Sequence, residues 1–178
     1  MSKFVDEKDR LELLKEENGE RYYLFRPGLL RLYPSSGNMR KMNCKEILLH
    51  LIRLIHGYKI YILTDENNVV KGSILYSNGG SYRYPFATKD DLIDGPSYTV
   101  PEYRGQGVAV RIGNAAMNQF EQEYNVVYGT IDCQNEASIR RVKKNGFEII
   151  CRLQADVFRR FRKCEKGNLL LVAYKRKQ

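Results

Sequence analysis

A chain of 178 residues and 20.8 kDa is long enough to build one domain around its own core. With 43% hydrophobic and 29% charged residues, its usage is globular and excludes the disordered and fibrous classes. Lys and Arg outnumber the acids 30 to 21, and the excess lies at the end: residues 140–178 hold 13 Lys and Arg against three acids, residues 1–139 hold 17 against 18.

In chain order, residues 6–17 read as a short helix, with Leu11 and Leu14 among acids and Asn18-Gly19 as the stop. That makes residues 1–18 an N-terminal helical extension. The aromatic run 21–26 reads as a strand closed by Pro27-Gly28, and residues 34–38 as loop. Asn43 is placed to cap a helix through Ile55, with Glu46 as its capping-box partner and Gly57 as its end. Strands over 58–64 and 69–76 flank the hairpin signal Asp65-Glu66-Asn67-Asn68. Residues 77–91 read as a long irregular loop.

A short strand, 97–100, runs into Pro101-Glu102-Tyr103. Residues 105–124 then carry Val108, Ile112, Ala115, Ala116 and Phe120 at helical spacing. Residues 126–132 read as a buried strand, and 135–145 as a helix capped by Asn135 with Gly146 beyond its end. Two strands, 147–158 and 169–175, close the chain. Hairpins mixed with β-α-β units predict an α/β (α+β mixed) fold over 1–178, a single mixed sheet with helices on its faces.

The four cysteines, Cys44, Cys133, Cys151 and Cys164, include no CxxC and no histidine at zinc-finger spacing. Reduced thiols and no metal are the simplest account. His50 and His56 lie six apart on one helix, on different faces, and read as partly exposed. Residues 1–7 lack the apolar run of a secretory leader, and 47–63 is interrupted by His50, Arg53, His56, Gly57 and Lys59. A cytoplasmic protein with no membrane contact is therefore expected. The basic end reads either as a solvated surface or as a seat for anions: nucleic acid or cofactor phosphate.

The sharpest feature is Val100-Pro101-Glu102-Tyr103-Arg104-Gly105-Gln106-Gly107-Val108-Ala109, between a strand and a helix. Amides at a helix start carry about half a positive charge, which suits phosphate. Gly105 and Gly107 let a backbone approach an anion with no Cβ in the way. A third glycine and a following βαβ unit are missing, so this is not the dinucleotide fingerprint; no Gly-Lys-Ser/Thr occurs, so it is not a P-loop.

Arg104-x-x-Gly107-x-Ala109 after a short strand resembles the pyrophosphate-binding motif of the GNAT superfamily of acyl-CoA-dependent N-acyltransferases. Asn135-x-x-Ser138 followed by Lys144-Asn145-Gly146-Phe147 resembles that family's second motif at the expected distance, and the element order fits over about residues 20–175. The resemblance implies a mostly antiparallel sheet splayed between its central strands, with helices on both faces. It implies acetyl-CoA as co-substrate, its pantetheine paired with Ser97, Tyr98 and Thr99. The pyrophosphate would sit on amides of Arg104, Gly105, Gln106, Gly107, Val108 and Ala109. Asn135 would contact the pantetheine side, with Ser138 near the cofactor tail.

The implied activity is direct acetyl transfer to a primary amine in a ternary complex. The chain departs from the family pattern at two places: Val142 stands where a Tyr acid is often found, and Thr130 where a Glu base is. Asp132, two residues beyond Thr130 on the same strand face, is the leading base candidate, with Asp94 next and Tyr98 as a candidate proton donor. Tyr22, Tyr23, Phe25, Tyr33, Tyr82, Tyr84 and Phe86 read either as an amine-substrate groove or as core. The basic hairpin Arg159, Arg160, Arg162 and Lys163 would suit a phosphorylated or nucleotide-linked amine. The expected partner is a small-molecule or peptide amine, with no nucleic acid, and the expected assembly is a monomer or homodimer. The alternative reading is a non-catalytic acyl-CoA-binding or nucleic-acid-binding module on the same fold.

Overall fold

The structure is a computed structural model and describes residues 11–34, 43–120 and 124–175. It has a mixed α/β architecture. Among the described residues, nine strands are hydrogen-bonded in the order β1-β2-β3-β4-β5-β6-β9-β7-β8, mostly antiparallel, and three α-helices accompany them. The chain divides into two compact units, Met1–Tyr76 with Pro96–Ala116, and Ser77–Gly95 with Met117–Gln178.

The first unit opens with β1 (Leu11–Glu17) and β2 (Glu20–Phe25), an antiparallel pair joined at Asn18-Gly19. Leu11–Glu17 is thus a strand, where the sequence predicts a helix over 6–17; residues 6–10 lie outside the described set. The reason is a bulge. The register jumps from Leu13↔Tyr23 to Lys15↔Tyr22 and leaves Leu14 without a counterpart. Leu11 and Leu14 therefore become the two half-buried positions, three residues apart, which imitates a helical period. The expected loop over 34–38 also falls largely outside the described residues.

Helix α1 (Cys44–His56) follows the prediction closely. Asn43 Oδ1 accepts from Glu46 N at 2.9 Å, and Glu46 Oε2 accepts from Asn43 N at 2.9 Å. Its solvent side is unusually apolar: Ile47, Leu48, Leu49, Leu51, Ile52 and Ile55 are all exposed. Strands β3 (Tyr58–Asp65) and β4 (Val70–Asn78) form the expected hairpin, whose turn is tied by Asp65 Oδ1 accepting from Asn67 N and Val69 N. Tyr23, Phe25, Tyr58, Ile60, Ile62, Val70 and Leu75 make the core, so Tyr22, Tyr23 and Phe25 are buried structure rather than groove. Gly72 in β4 matters because a Cβ there would lie 2.8 Å from Val108 Cγ1 and 2.8 Å from the Tyr98 carbonyl. Its absence lets α2 (Val108–Phe120) start directly against the strand.

Strand β5 (Leu92–Thr99) begins five residues earlier than the sequence predicts. Its parallel ladder with β6 (Val126–Asp132) pairs Leu92, Ile93 and Asp94 with Val127, Tyr128 and Gly129 and ends there. Gly95-Pro96 lies beyond the ladder, where a residue without an N–H costs nothing.

In the second unit, α3 (Glu136–Lys144) is capped by Asn135, and β6, β9 (Leu169–Lys175) and β7 (Glu148–Ala155) are paired antiparallel. The strand expected over 147–158 is β7, ending at Ala155, and a turn then leads into a further short strand, β8 (Phe161–Lys163), that the sequence does not predict. Asp156 makes that turn: it accepts from the N–H groups of Phe158 and Arg160, from Arg160 Nε at 2.9 Å and from Arg162 Nε at 3.1 Å. Two of the basic hairpin residues are thereby paired within the turn. Leu153, Phe161 and Leu171 form the core, with Tyr84, Phe86 and Tyr128 packed on it. Tyr82 is exposed beneath the Arg160 guanidinium, 5.1 Å from its ring centre.

Candidate functional site

The turn before α2 is built to keep its amides bare. Pro101–Tyr103 forms a single 3-10 turn, after which Gly105 and Gly107 take φ of 77° and 73°, values that favour glycine. Three side chains around the turn are tied to its carbonyls and to that of Thr99. Arg104 Nε donates to the Thr99 carbonyl at 3.3 Å, Gln106 Nε2 to the Glu102 carbonyl at 2.9 Å, and Arg111 Nη1 to the Gln106 carbonyl at 2.6 Å. Val110 and Arg111 begin the helix by donating to the Gly107 carbonyl. The amides of Gly105, Gln106, Gly107, Val108 and Ala109 find no acceptor among the described residues. A Cβ built on Gly105 would meet nothing within 4 Å, so the space beside these amides is open. Five outward N–H groups at the head of a 13-residue helix fit a diphosphate.

Arg111 does not reach for that anion itself. Its Nε and Nη2 make a two-pronged pair with Glu20 of β2, at 2.8 and 2.9 Å. Glu20 also accepts from Lys71 Nζ at 2.8 Å. Burial pushes the Glu20 carboxyl up, but its bonds to Arg111 and Lys71 outweigh this and hold it below the usual range. Lys71 lies over the Tyr103 ring at 5.6 Å, which accounts for Tyr103 as packing at the turn. Neither Glu20 nor Arg111 is legible as a partner in sequence, because 91 positions separate them.

Ser97 is exposed, and Tyr98 and Thr99 are half-buried, on the part of β5 beyond its ladder. Tyr98 borders two cavities of the first unit. One, of about 370 Å³, is lined with Val69, Val100, Pro101, Glu102 and Tyr103. The other, of about 290 Å³, lies among Tyr33, Glu46, Leu49, His50, Arg53 and Tyr98. His50 is buried, not partly exposed as its sequence suggests, and burial with the Arg53 charge pushes it down to about 4. Its Nδ1 lies 3.0 Å from the Tyr58 hydroxyl, which donates to the Leu32 carbonyl. Burial in turn pushes the Tyr58 hydroxyl up.

The remaining site residues lie in the second unit. Asp132 is exposed at the end of β6, where its Oδ1 accepts from Gln134 N at 2.8 Å and so shapes a turn. Asp94 is fully enclosed: Arg141 Nη2 donates to its Oδ2 at 2.5 Å and Nη1 to its Oδ1 at 3.4 Å. Burial pushes the Asp94 carboxyl up against the pull of Arg141. Its carboxylate is thus engaged in a structural pair, where the sequence offers it as a base. Gly129 makes room for β9 rather than for this pair: a Cβ there would lie 2.9 Å from Val172 Cγ2, whereas 3.5 Å from Asp94 Oδ2 is ordinary contact. Asn135 Oδ1 accepts from Ser138 N at 3.0 Å as a helix cap, and Ser138 is half-buried. Val142 is fully buried, and Cys133 Sγ faces the Gly167 carbonyl at 3.7 Å. Among the described residues no group of three or more His, Cys, Asp or Glu could hold a metal, and no helix is long and apolar enough to cross a membrane.

No protein-family profile and no curated protein matches this chain. Solved structures do. The ribosomal-protein-S5-alanine acetyltransferase of Vibrio fischeri is similar at TM-score 0.60 and 16% identity, over 92% of this chain and 97% of that one. The acetyltransferase yncA of Salmonella typhimurium, solved with its cofactor acetyl-CoA, gives TM-score 0.52 and 18% identity over 81% and 82%. A nourseothricin acetyltransferase gives TM-score 0.50 and 16% identity over 67% of this chain, which spans 66% of that protein's length. The chain has the fold of the GNAT acetyltransferases.

Proposed function

We propose that this protein is an acetyl-CoA-dependent N-acetyltransferase that passes the acetyl group directly to a primary amine. The observation that carries the reading is the row of five amides, Gly105 to Ala109, without an acceptor among the described residues beside open space. In this reading they receive the CoA pyrophosphate, and the backbone of Ser97, Tyr98 and Thr99 runs alongside the pantetheine as an added strand would. Similar folds that act as acetyltransferases, one solved with acetyl-CoA, support it.

The chemistry asks little covalent work of the chain. An amine of pKa about 10.4 costs roughly 4–5 kcal/mol to deprotonate at pH 7, at 1.36 kcal/mol per unit. A positioned proton acceptor and near-attack placement supply most of what is needed. The leaving thiol, with pKa about 8.5, departs without a dedicated acid, which suits a chain with Val142 buried where a phenol is often found.

Calorimetric titration with acetyl-CoA, followed by thiol release over an amine panel, tests the proposal. Gly107→Leu, which forces a side chain into φ of 73°, is expected to weaken acetyl-CoA binding at least tenfold. Binding without turnover would favour the acyl-CoA-binding module. No CoA binding, with salt-sensitive DNA or RNA binding instead, would overturn the reading.

A further inference from the structure

The cavity of about 290 Å³ among Tyr33, His50 and Tyr98 has a chemistry of its own. The Tyr58 hydroxyl has one proton, and it goes to the Leu32 carbonyl. Toward His50 Nδ1 that oxygen can only accept, so His50 carries its proton on Nδ1 and a lone pair on Nε2. Nε2 has no hydrogen-bond partner among the described residues, and His50 lines the cavity. The tautomer is therefore set from behind, by a phenol buried in the core and itself locked to a main-chain oxygen.

We propose that this cavity receives the acceptor amine, with His50 Nε2 accepting an N–H of the incoming nitrogen. The proposal rests on the acetyltransferase reading and adds to it the acceptor site and its class. The ligand class follows from the walls. Tyr33 stands edge-on to His50 at 5.5 Å, and Leu49, Leu75 and Pro96 supply apolar surface. The volume lies at the lower end of small-molecule sites, which run about 300–1,000 Å³. A compact primary amine with an aromatic or aliphatic body fits; a nucleotide-linked amino sugar does not.

The charged and titratable groups around the ring are Glu46 and Arg53 on α1, Tyr33, Tyr58 on β3 and Tyr98 on β5. With burial and Arg53 both disfavouring its charged form, His50 stays a neutral acceptor across the physiological range. In the transfer, the amine nitrogen bonds to the acetyl carbon as the carbon–sulfur bond breaks. Sulfur leaves as thiolate, and the proton shed by the nitrogen goes to that thiolate or to water, while His50 Nε2 stays a neutral acceptor that orients the amine.

The test uses benzylamine as probe and the full chain. Benzylamine added to the CoA-saturated protein is expected to shift the His50 ring signals in NMR spectra and leave exposed His56 unmoved. His50→Ala is expected to lower kcat/KM for benzylamine about 100-fold while KM for acetyl-CoA stays within about twofold. Tyr58→Phe, which frees the tautomer, is expected to lower the same kcat/KM at least tenfold. Unshifted His50 signals, or a folded His50→Ala enzyme with wild-type kcat/KM, would overturn the proposal. Should His50→Ala not fold, the wild-type spectra decide alone. If acetyl-CoA fails to bind, the underlying reading falls, and benzylamine titration of the free protein still decides the cavity.

Discussion

Arg111 Nη1 holds the Gln106 carbonyl at 2.6 Å, and that oxygen shares a trans peptide with the Gly107 N–H. The two ends of such a peptide point opposite ways. Tying the oxygen to Arg111 therefore aims the amide away from the guanidinium, toward the open side of the turn. Glu20 keeps Arg111 in position through two further bonds.

Glu20→Gln should loosen this brace. A hydrogen bond between charged groups contributes roughly 1.5–3 kcal/mol, and only part of that reaches the ligand. The expected result is an acetyl-CoA Kd raised about tenfold in calorimetry, with the fold retained. An unaltered Kd would remove the brace from any part in anion binding.

His50 gives stability a defined pH dependence. Its folded value of about 4 lies below the 6.5 of the unfolded chain, so the unfolded state binds the extra proton. Stability is intact above pH 6.5 and falls as pH drops toward 4, by about 3 kcal/mol in full. Glu20, held below its ordinary 4.5, adds a further loss under that pH. Urea unfolding between pH 7.5 and 4.5 should show the slope in the wild type and a flatter one in His50→Gln. Equal slopes would show that His50 titrates normally.

Asp94→Asn leaves the Arg141 guanidinium, 9% exposed, without its buried counter-charge. Breaking such a pair costs about 3–5 kcal/mol, to be seen as a lowered urea midpoint. The double replacement Asp94→Leu with Arg141→Met should recover most of it. If the single variant alone matches the wild type, the pair is not holding β5 to α3.

Asp132→Asn keeps the oxygen that Gln134 N uses. With the carboxylate exposed at a strand end, turnover at neutral pH is expected to stay within about twofold, below the 10²–10⁴-fold scale of a general base. A hundredfold loss of kcat would instead support the base role that the sequence offers for Asp132.

Local signals carried most of the fold. The Asn43 and Asn135 caps, the Asp65 turn and β9 emerged at or within a residue of their expected ends, because each depends on neighbours in sequence. Where the reading failed, a bulge or a long-range partner had intervened: Leu14 at the β1 bulge, Leu92–Asp94 in a ladder with β6, Asp156 bending the last hairpin. The glycine turn was legible because its chemistry is local. His50 was not, since the face of α1 that turns inward is the polar one, with Glu46, His50 and Arg53, while the apolar face is exposed, the reverse of what amphipathic periodicity implies. The spacing of His50 to core-packed Leu54, one helical turn on, was the usable sign.

The bare amides ahead of α2 leave the empty protein with a partial positive charge that no described side chain neutralises. Such a spot collects whatever small anion the solution offers. Phosphate, sulfate and citrate buffers should each raise the melting temperature over a chloride buffer, and each should weaken apparent nucleotide affinity by simple competition. Under the proposed function, buffer choice then sets how tightly the protein is seen to hold acetyl-CoA.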